Sequence, residues 1–188
     1  MTPSPTSVQR RPDKRWLTLI IIIVIALVII GVRLGPMFNI DNSIEGVLTI
    51  SDLSREHREG PISYEHIPPL GGPHHAEPQN CGIYDQPIAN ENAVASLERG
   101  AVWIAYDPQL SPGDVERLRL LARGKSHVLM APYPDLPHPV VMTAWGAQLQ
   151  AKSVTDPRFV RFIGMYAQSK NAPEVGLPCS GGVGTPIE

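Results

Sequence analysis

The chain has 188 residues, 43% of them hydrophobic and 18% charged, with 20 prolines and 16 glycines; that length holds one ordinary domain with an appendage and excludes a large multidomain machine. Lys and Arg number 16 against 18 Asp and Glu, a formal net charge of -2. No global basic field is therefore available to hold nucleic acid by counterion release, and no nucleic-acid partner is expected. The mean hydropathy of -0.06 averages two unlike parts, an intensely apolar stretch near the N-terminus and a Pro-rich polar remainder.

In chain order, residues 1–14 are rich in Ser, Thr, Pro and Arg, too polar to bury anything, and read as a disordered cytoplasmic tail. From Trp16 to Val32 the chain reads WLTLIIIIVIALVIIGV, 17 residues without a charge, between Lys14-Arg15 and Arg33. A core helix carries a polar stripe; this run is apolar all round apart from Thr18, so residues 15–34 are expected to form one transmembrane helix. The flank before it holds Arg10, Arg11, Lys14 and Arg15 against Asp13, while Asp41 and Glu45 follow on the other side. The positive-inside rule then puts the N-terminus in the cytoplasm and the rest of the chain on the far side of the membrane. The following GVRLGPMFN offers no small-residue cleavage site, which favours an uncleaved anchor over a signal peptide. Gly31 and Gly35 have the spacing of a helix-packing motif, but Pro36 makes helix termination the simpler role.

Residues 35–60 read as a juxtamembrane linker with a strand candidate at Val47–Ile50, and an exported domain is expected over 61–188. Tyr64 to Asn80 has prolines at 68, 69, 73 and 78 and paired glycines, a composition that blocks helix and central strand alike. A helix is expected over Glu91–Arg99, with Asn90 as its N-cap and Gly100 as its stop. Ala101–Tyr106 reads as a strand, Ser111 caps a second helix that ends at Arg123-Gly124, Ser126–Ala131 and Val140–Trp145 read as strands, and Asp156-Pro157 opens a third helix. Helices interspersed with three or four short strands give an α+β fold: one N-terminal transmembrane helix followed by a small exported domain with a short mixed sheet and about three helices.

Cys81 and Cys179 both fall on the side assigned to the oxidising face of the membrane, so a Cys81–Cys179 disulfide is the natural reading, with thiolate ligation near His74 and His75 as the alternative. His66, His74 and His75 gather in the Pro/Gly loop, and neutral imidazoles on a constrained exported loop suit copper or zinc. Glu98 and Asp85 offer oxygen ligands, although capping or pairing with Arg99 suits them equally. The spacing matches no standard zinc finger. Ser96 is the best nucleophile candidate for a hydrolase, but no strand-nucleophile-helix signature accompanies it, so no catalytic residues are assigned.

GGPH at 71–74, NCGIYDQPI at 80–88, ENAVASLERGAVWIAY at 91–106, PYPDLPHPVVMTAWG at 132–146 and APE at 172–174 together resemble the domain-of-unknown-function family numbered 3105, exported bacterial proteins with one anchor and one domain. The resemblance covers about Glu65 to Cys179. The family carries V-H-S-L-E-H-G where this chain has Val94-Ala95-Ser96-Leu97-Glu98-Arg99-Gly100, so both motif histidines are replaced. If the family's histidines mark a metal or catalytic centre, that departure implies a domain kept as a scaffold, with Arg99 neutralising Glu98 in place of a cation. The function expected first is a single-pass membrane-anchored structural or accessory interaction module, held in the lipid bilayer through residues 16–34 and serving as subunit of a larger membrane protein complex. The alternative is an exported copper or zinc domain using His66, His74, His75 and Glu98.

Overall fold

The computed structural model describes residues 14–34 and 43–188 and, within the first helix, the side chains of residues 15–29. Residues 1–13 of the tail expected over 1–14, the first part of the linker and Gly35 of the glycine pair lie outside the described residues, while Lys14 already belongs to a helix. The chain divides after Ser43 into two compact units. In the first, helix α1 spans Lys14–Leu34, and its described apolar side chains from Trp16 to Ile29 are exposed. Among the described residues no helix is long and apolar enough to cross a membrane; the described side chains cover only Arg15 to Ile29 of the expected span.

The second unit runs from Ile44 to Glu188, so the folded domain begins well before Pro61. Its elements are β1 (Val47–Thr49), β2 (Gly82–Ile83), α2 (Asn90–Glu98), β3 (Val102–Tyr106), α3 (Pro112–Ala122), β4 (Val128–Pro132), β5 (Val140–Ala144), β6 (Ala147–Ala151) and α4 (Arg158–Tyr166). They build one six-stranded mixed sheet in the order β1-β6-β5-β3-β4-β2, larger than the three or four strands expected. β2, β3 and β4 are parallel, and β5, β6 and β1 continue the sheet antiparallel.

The linker reading fails at β1 because Val47, Leu48 and Thr49 pair with Leu149, Gln148 and Ala147 of β6, and the Arg158 guanidinium donates to the Glu45 carbonyl at 2.8 Å. The backbone of residues 56–58 then runs beside His74, with Arg58 N–H donating to the His74 carbonyl and His74 N–H to the Glu56 carbonyl at 2.9 and 3.0 Å. A segment whose composition reads as a solvated tether is thus clipped onto the domain by its backbone.

The parallel strands explain where the helices lie. The connection from β2 to β3 passes over β4, and the one from β3 to β4 returns the opposite way. Right-handed crossovers in opposite directions place α2 and α3 on opposite faces of the sheet. Strand residues alternate accordingly. Val102, Ile104, Val128, Met130, Val140, Met142 and Leu149 pack with Leu118 of α3 and Phe159, Phe162 and Ile163 of α4. Trp103, Ala105, Leu129 and Ala131 pack with Ala93 and Leu97 of α2. α3 has the expected cap, Ser111 Oγ accepting from Asp114 N–H. α2 does not: Ala89 holds the cap position without a side-chain bond and Asn90 is already helical.

Cys81 and Cys179 form the disulfide, with Cα atoms 5.4 Å apart across a sequence separation of 98. It ties the approach to β2 to the C-terminal tail, whose Ile187 and Glu188 exchange backbone bonds with Ile83. Gly82 is required there: at φ +137 a Cβ would lie 2.6 Å from Pro186 and 2.7 Å from the Glu188 carbonyl.

Candidate metal centre

α2 ends on Glu98 and has no basic residue in its last turn. A carboxylate there adds to the negative end of the helix dipole, and Glu98 is only 3% exposed. A buried charge so placed needs cationic or proton-donating partners. Arg55 donates from Nε to Glu98 Oε1 at 2.8 Å. His74 Nε2 lies 2.8 Å from Glu98 Oε2, and His57 Nε2 lies 4.0 Å from the same oxygen.

His74 is fully buried and held from several sides. Its ring meets Trp145 edge-on with centroids 5.8 Å apart and His57 edge-on at 5.0 Å. Tyr64 donates its hydroxyl to the Pro73 carbonyl at 2.7 Å, fixing the loop just before it; burial first, and Glu91 second, raise the Tyr64 phenol far above its ordinary pKa, so it stays a donor. His74 Nδ1 is 2.8 Å from the Gly72 carbonyl. A carbonyl only accepts, so Nδ1 carries the hydrogen and Nε2 is the nitrogen turned to Glu98. A metal-ligating histidine is usually oriented this way, with its second nitrogen donating to a backbone carbonyl and fixing the tautomer. The contact between Nε2 and an ionised Oε2 needs one shared proton, and a metal ion can take that proton's place.

The ligand atoms of His57, His74 and Glu98 all lie within 4.8 Å of one another. Tetrahedral bonds of about 2.0–2.1 Å put ligand atoms about 3.3 Å apart; the contacts of 2.8 and 4.0 Å on Glu98 Oε2 bracket that spacing. Among the described residues neither ring nitrogen of His57 makes a hydrogen bond, and its side chain is 55% exposed, so it can turn the short distance required.

Of the four residues singled out from sequence, the structure brings His74 and Glu98 together and leaves the other two apart. His75 Nε2 sits 3.6 Å from Glu59 Oε2, since consecutive residues in extended backbone point to opposite sides. His66 lines a shallow surface depression with Tyr64, Glu65 and Leu70. His57 and Arg55 were hidden in the charged SREHREG run. Asp85 is exposed and outside the cluster. Arg99 does not neutralise Glu98: one residue further round the helix, it points to Glu174, 3.7 Å away, and donates to the Pro178 carbonyl at 3.3 Å. Arg55 holds Glu98 instead. Ser96 is buried and donates to the Gln79 carbonyl at 2.6 Å and the Asn92 carbonyl at 3.1 Å, so its hydroxyl is a structural brace with no histidine beside it.

One family model, described as a protein of unknown function (DUF3105), matches residues 56–181, a stretch that includes His57, His74 and Glu98 and begins just after Arg55. Neither the curated proteins nor the solved structures provide a match.

Proposed function

The chain belongs to the DUF3105 family, and on that premise we propose that it is a membrane-anchored, extracytoplasmic domain that binds a divalent transition metal, zinc or copper, through His57 Nε2, His74 Nε2 and Glu98 Oε2. The observation that carries the reading is the convergence of these three ligand atoms within 4.8 Å, with His74 pre-oriented by the Gly72 carbonyl. Two imidazoles and one carboxylate suit borderline-soft cations, and three protein ligands leave a coordination position open. The anchor rests on the uncharged run Trp16–Val32 between basic flanks and on a helix whose large apolar side chains from Trp16 to Ile29 are exposed; the Cys81–Cys179 bridge supports an oxidising compartment for the domain.

The test is calorimetric titration of the detergent-solubilised full chain with zinc and with copper. Binding of one ion is expected, weakened more than tenfold in His57→Ala, His74→Ala and Glu98→Gln and unchanged in His66→Ala and His75→Ala. Loss in the last two with retention in the first three would overturn the assignment.

A second reading, an accessory interaction module, is favoured by the apolar groove between α3 and α4. Leu120 and Val160 stand 63% and 71% exposed on it, and it encloses about 630 Å³ with Leu121, Ile163 and His127 along it. Contiguous exposed apolar surface of this kind marks binding sites. If a partner occupies it, Leu120→Lys/Val160→Lys removes co-purifying membrane subunits while leaving metal binding intact; unchanged co-purification would set this reading aside.

A further inference from the structure

We infer that Arg55 and the open coordination position of the metal centre together form a binding site for a phosphate-type oxyanion; the inference rests on the metal reading above. Arg55 uses only Nε to hold Glu98, at 2.8 Å. Among the described residues Nη1 and Nη2 make no hydrogen bond, and the side chain is 56% exposed. One edge of the guanidinium orients a ligand carboxylate while the other faces outward with its donors free. A planar fork of donors matches phosphate and carboxylate oxygens.

Charge accounting points the same way. Glu98 and Arg55 cancel, both histidines bind as neutral imidazoles, and a divalent ion therefore leaves the centre at about +2 with a vacant position. The nearby carboxylates do not supply the missing anion. Glu56 is engaged by Arg58 at 2.7 Å, Glu59 lies beside His75 at 3.6 Å, Glu174 lies beside Arg99 at 3.7 Å and Glu91 accepts from Ile62 N–H at 2.8 Å. The Oε1 atom of Glu98 is occupied by Arg55, so the carboxylate ligates through Oε2 alone and does not close the vacant position by binding in bidentate fashion. An incoming oxyanion places one oxygen on the metal and another on the outer edge of Arg55. No covalent step is involved. The site is shallow, with His57 and Arg55 both more than half exposed, so it suits a small anion or the phosphate of a larger molecule lying across the surface.

Cobalt(II) is the probe, because its visible d–d spectrum reports both binding and changes at the open position. The full chain in neutral detergent is loaded with cobalt and titrated with inorganic phosphate, beside Arg55→Met and Arg55→Lys. The expected result is a saturable spectral change in wild type, a midpoint raised at least tenfold in Arg55→Met, and partial recovery in Arg55→Lys, each variant being titrated at a cobalt concentration that saturates it, because loss of the Nε bond to Glu98 also weakens the metal. A response to free phosphate in neutral detergent assigns a soluble anion; one appearing only in phosphatidylglycerol nanodiscs without added phosphate assigns a lipid headgroup. Failure of cobalt to bind wild type would overturn the metal reading itself. Cobalt binding with no response to either phosphate source, or an unchanged midpoint in Arg55→Met, would overturn this inference and leave the metal reading standing.

Discussion

Replacing Glu98 by alanine in the metal-free protein separates a built centre from a chance cluster. The substitution removes the Oε2 contact to His74, whose side chain is 1% exposed, and the Oε1 contact to Arg55. The first loss leaves Nε2 buried without a partner, which costs about 1–3 kcal/mol, and the bond removed is charge-assisted, at the strong end of the range. The second adds little, because Arg55 is more than half exposed and water replaces the carboxylate there. Deleting the carboxylate also relieves its clash with the helix dipole, a return of about 0.3–1 kcal/mol. The net expectation is a destabilisation of about 2 kcal/mol, or about 4–8 °C in melting temperature for a domain of this size. Glu98→Gln, which keeps an acceptor for His74, loses about half as much. Thermal unfolding of the full chain in chelator, followed by near-ultraviolet circular dichroism, reads both. Zinc then raises the melting temperature of wild type and leaves Glu98→Ala unmoved. A Glu98→Ala protein as stable as wild type in chelator would mean that the His74–Glu98 pair holds nothing in place.

Three further outcomes rest on contacts elsewhere in the domain. Arg158 holds the Asp156 carboxylate, chiefly through the side-chain hydrogen bond, below its ordinary pKa, so the pair stabilises the fold above the ordinary aspartate range and loses that contribution as pH falls through the depressed value; Asp156→Asn is therefore less stable than wild type at pH 7, with the gap closing in acid, and a gap constant with pH in denaturant titrations contradicts this. Cys81→Ser/Cys179→Ser releases a loop of sequence separation 98 and loses about 4–5 kcal/mol on the chain-entropy scaling, read as a lower urea midpoint. Gly146 turns β5 into β6 at φ +70 with the Ile50 carbonyl 2.6 Å from where a Cβ would sit, so Gly146→Ala costs about 1–3 kcal/mol, measured in the same titration.

Much of the domain was legible because its signals are local. Ser111-Pro112 opens α3 as a cap followed by a first-turn proline, and the apolar, aromatic run Val102–Tyr106 is the buried strand it reads as. β6 was missed because Ala147-Gln-Leu-Gln-Ala151 has weak strand propensity; the alternation was there, with Ala147, Leu149 and Ala151 buried after a Trp-Gly turn. Gln148 breaks the polar-out rule by donating to the Pro68 carbonyl from a buried position at 2.8 Å. The candidate site was half legible. His74 and Glu98 stand in motif-like stretches, and their approach is set by the Pro/Gly loop folding over the end of α2. His57 and Arg55 arrive through backbone pairing between residues 17 positions apart, 57 and 74, and nothing in a run of alternating charges announces which side chain turns inward. The misplacement of Arg99 has the same origin: adjacency in sequence to Glu98 is 100° of rotation on a helix.

X-ray absorption at the zinc edge of the full chain loaded with one equivalent reads the ligand set itself. The expected first shell holds four nitrogen and oxygen atoms at about 2.0–2.1 Å, two of them imidazole with its outer-ring scattering, falling to one imidazole in His57→Ala. A shell of six oxygens without imidazole scattering, or a spectrum unchanged by His57→Ala, would contradict it.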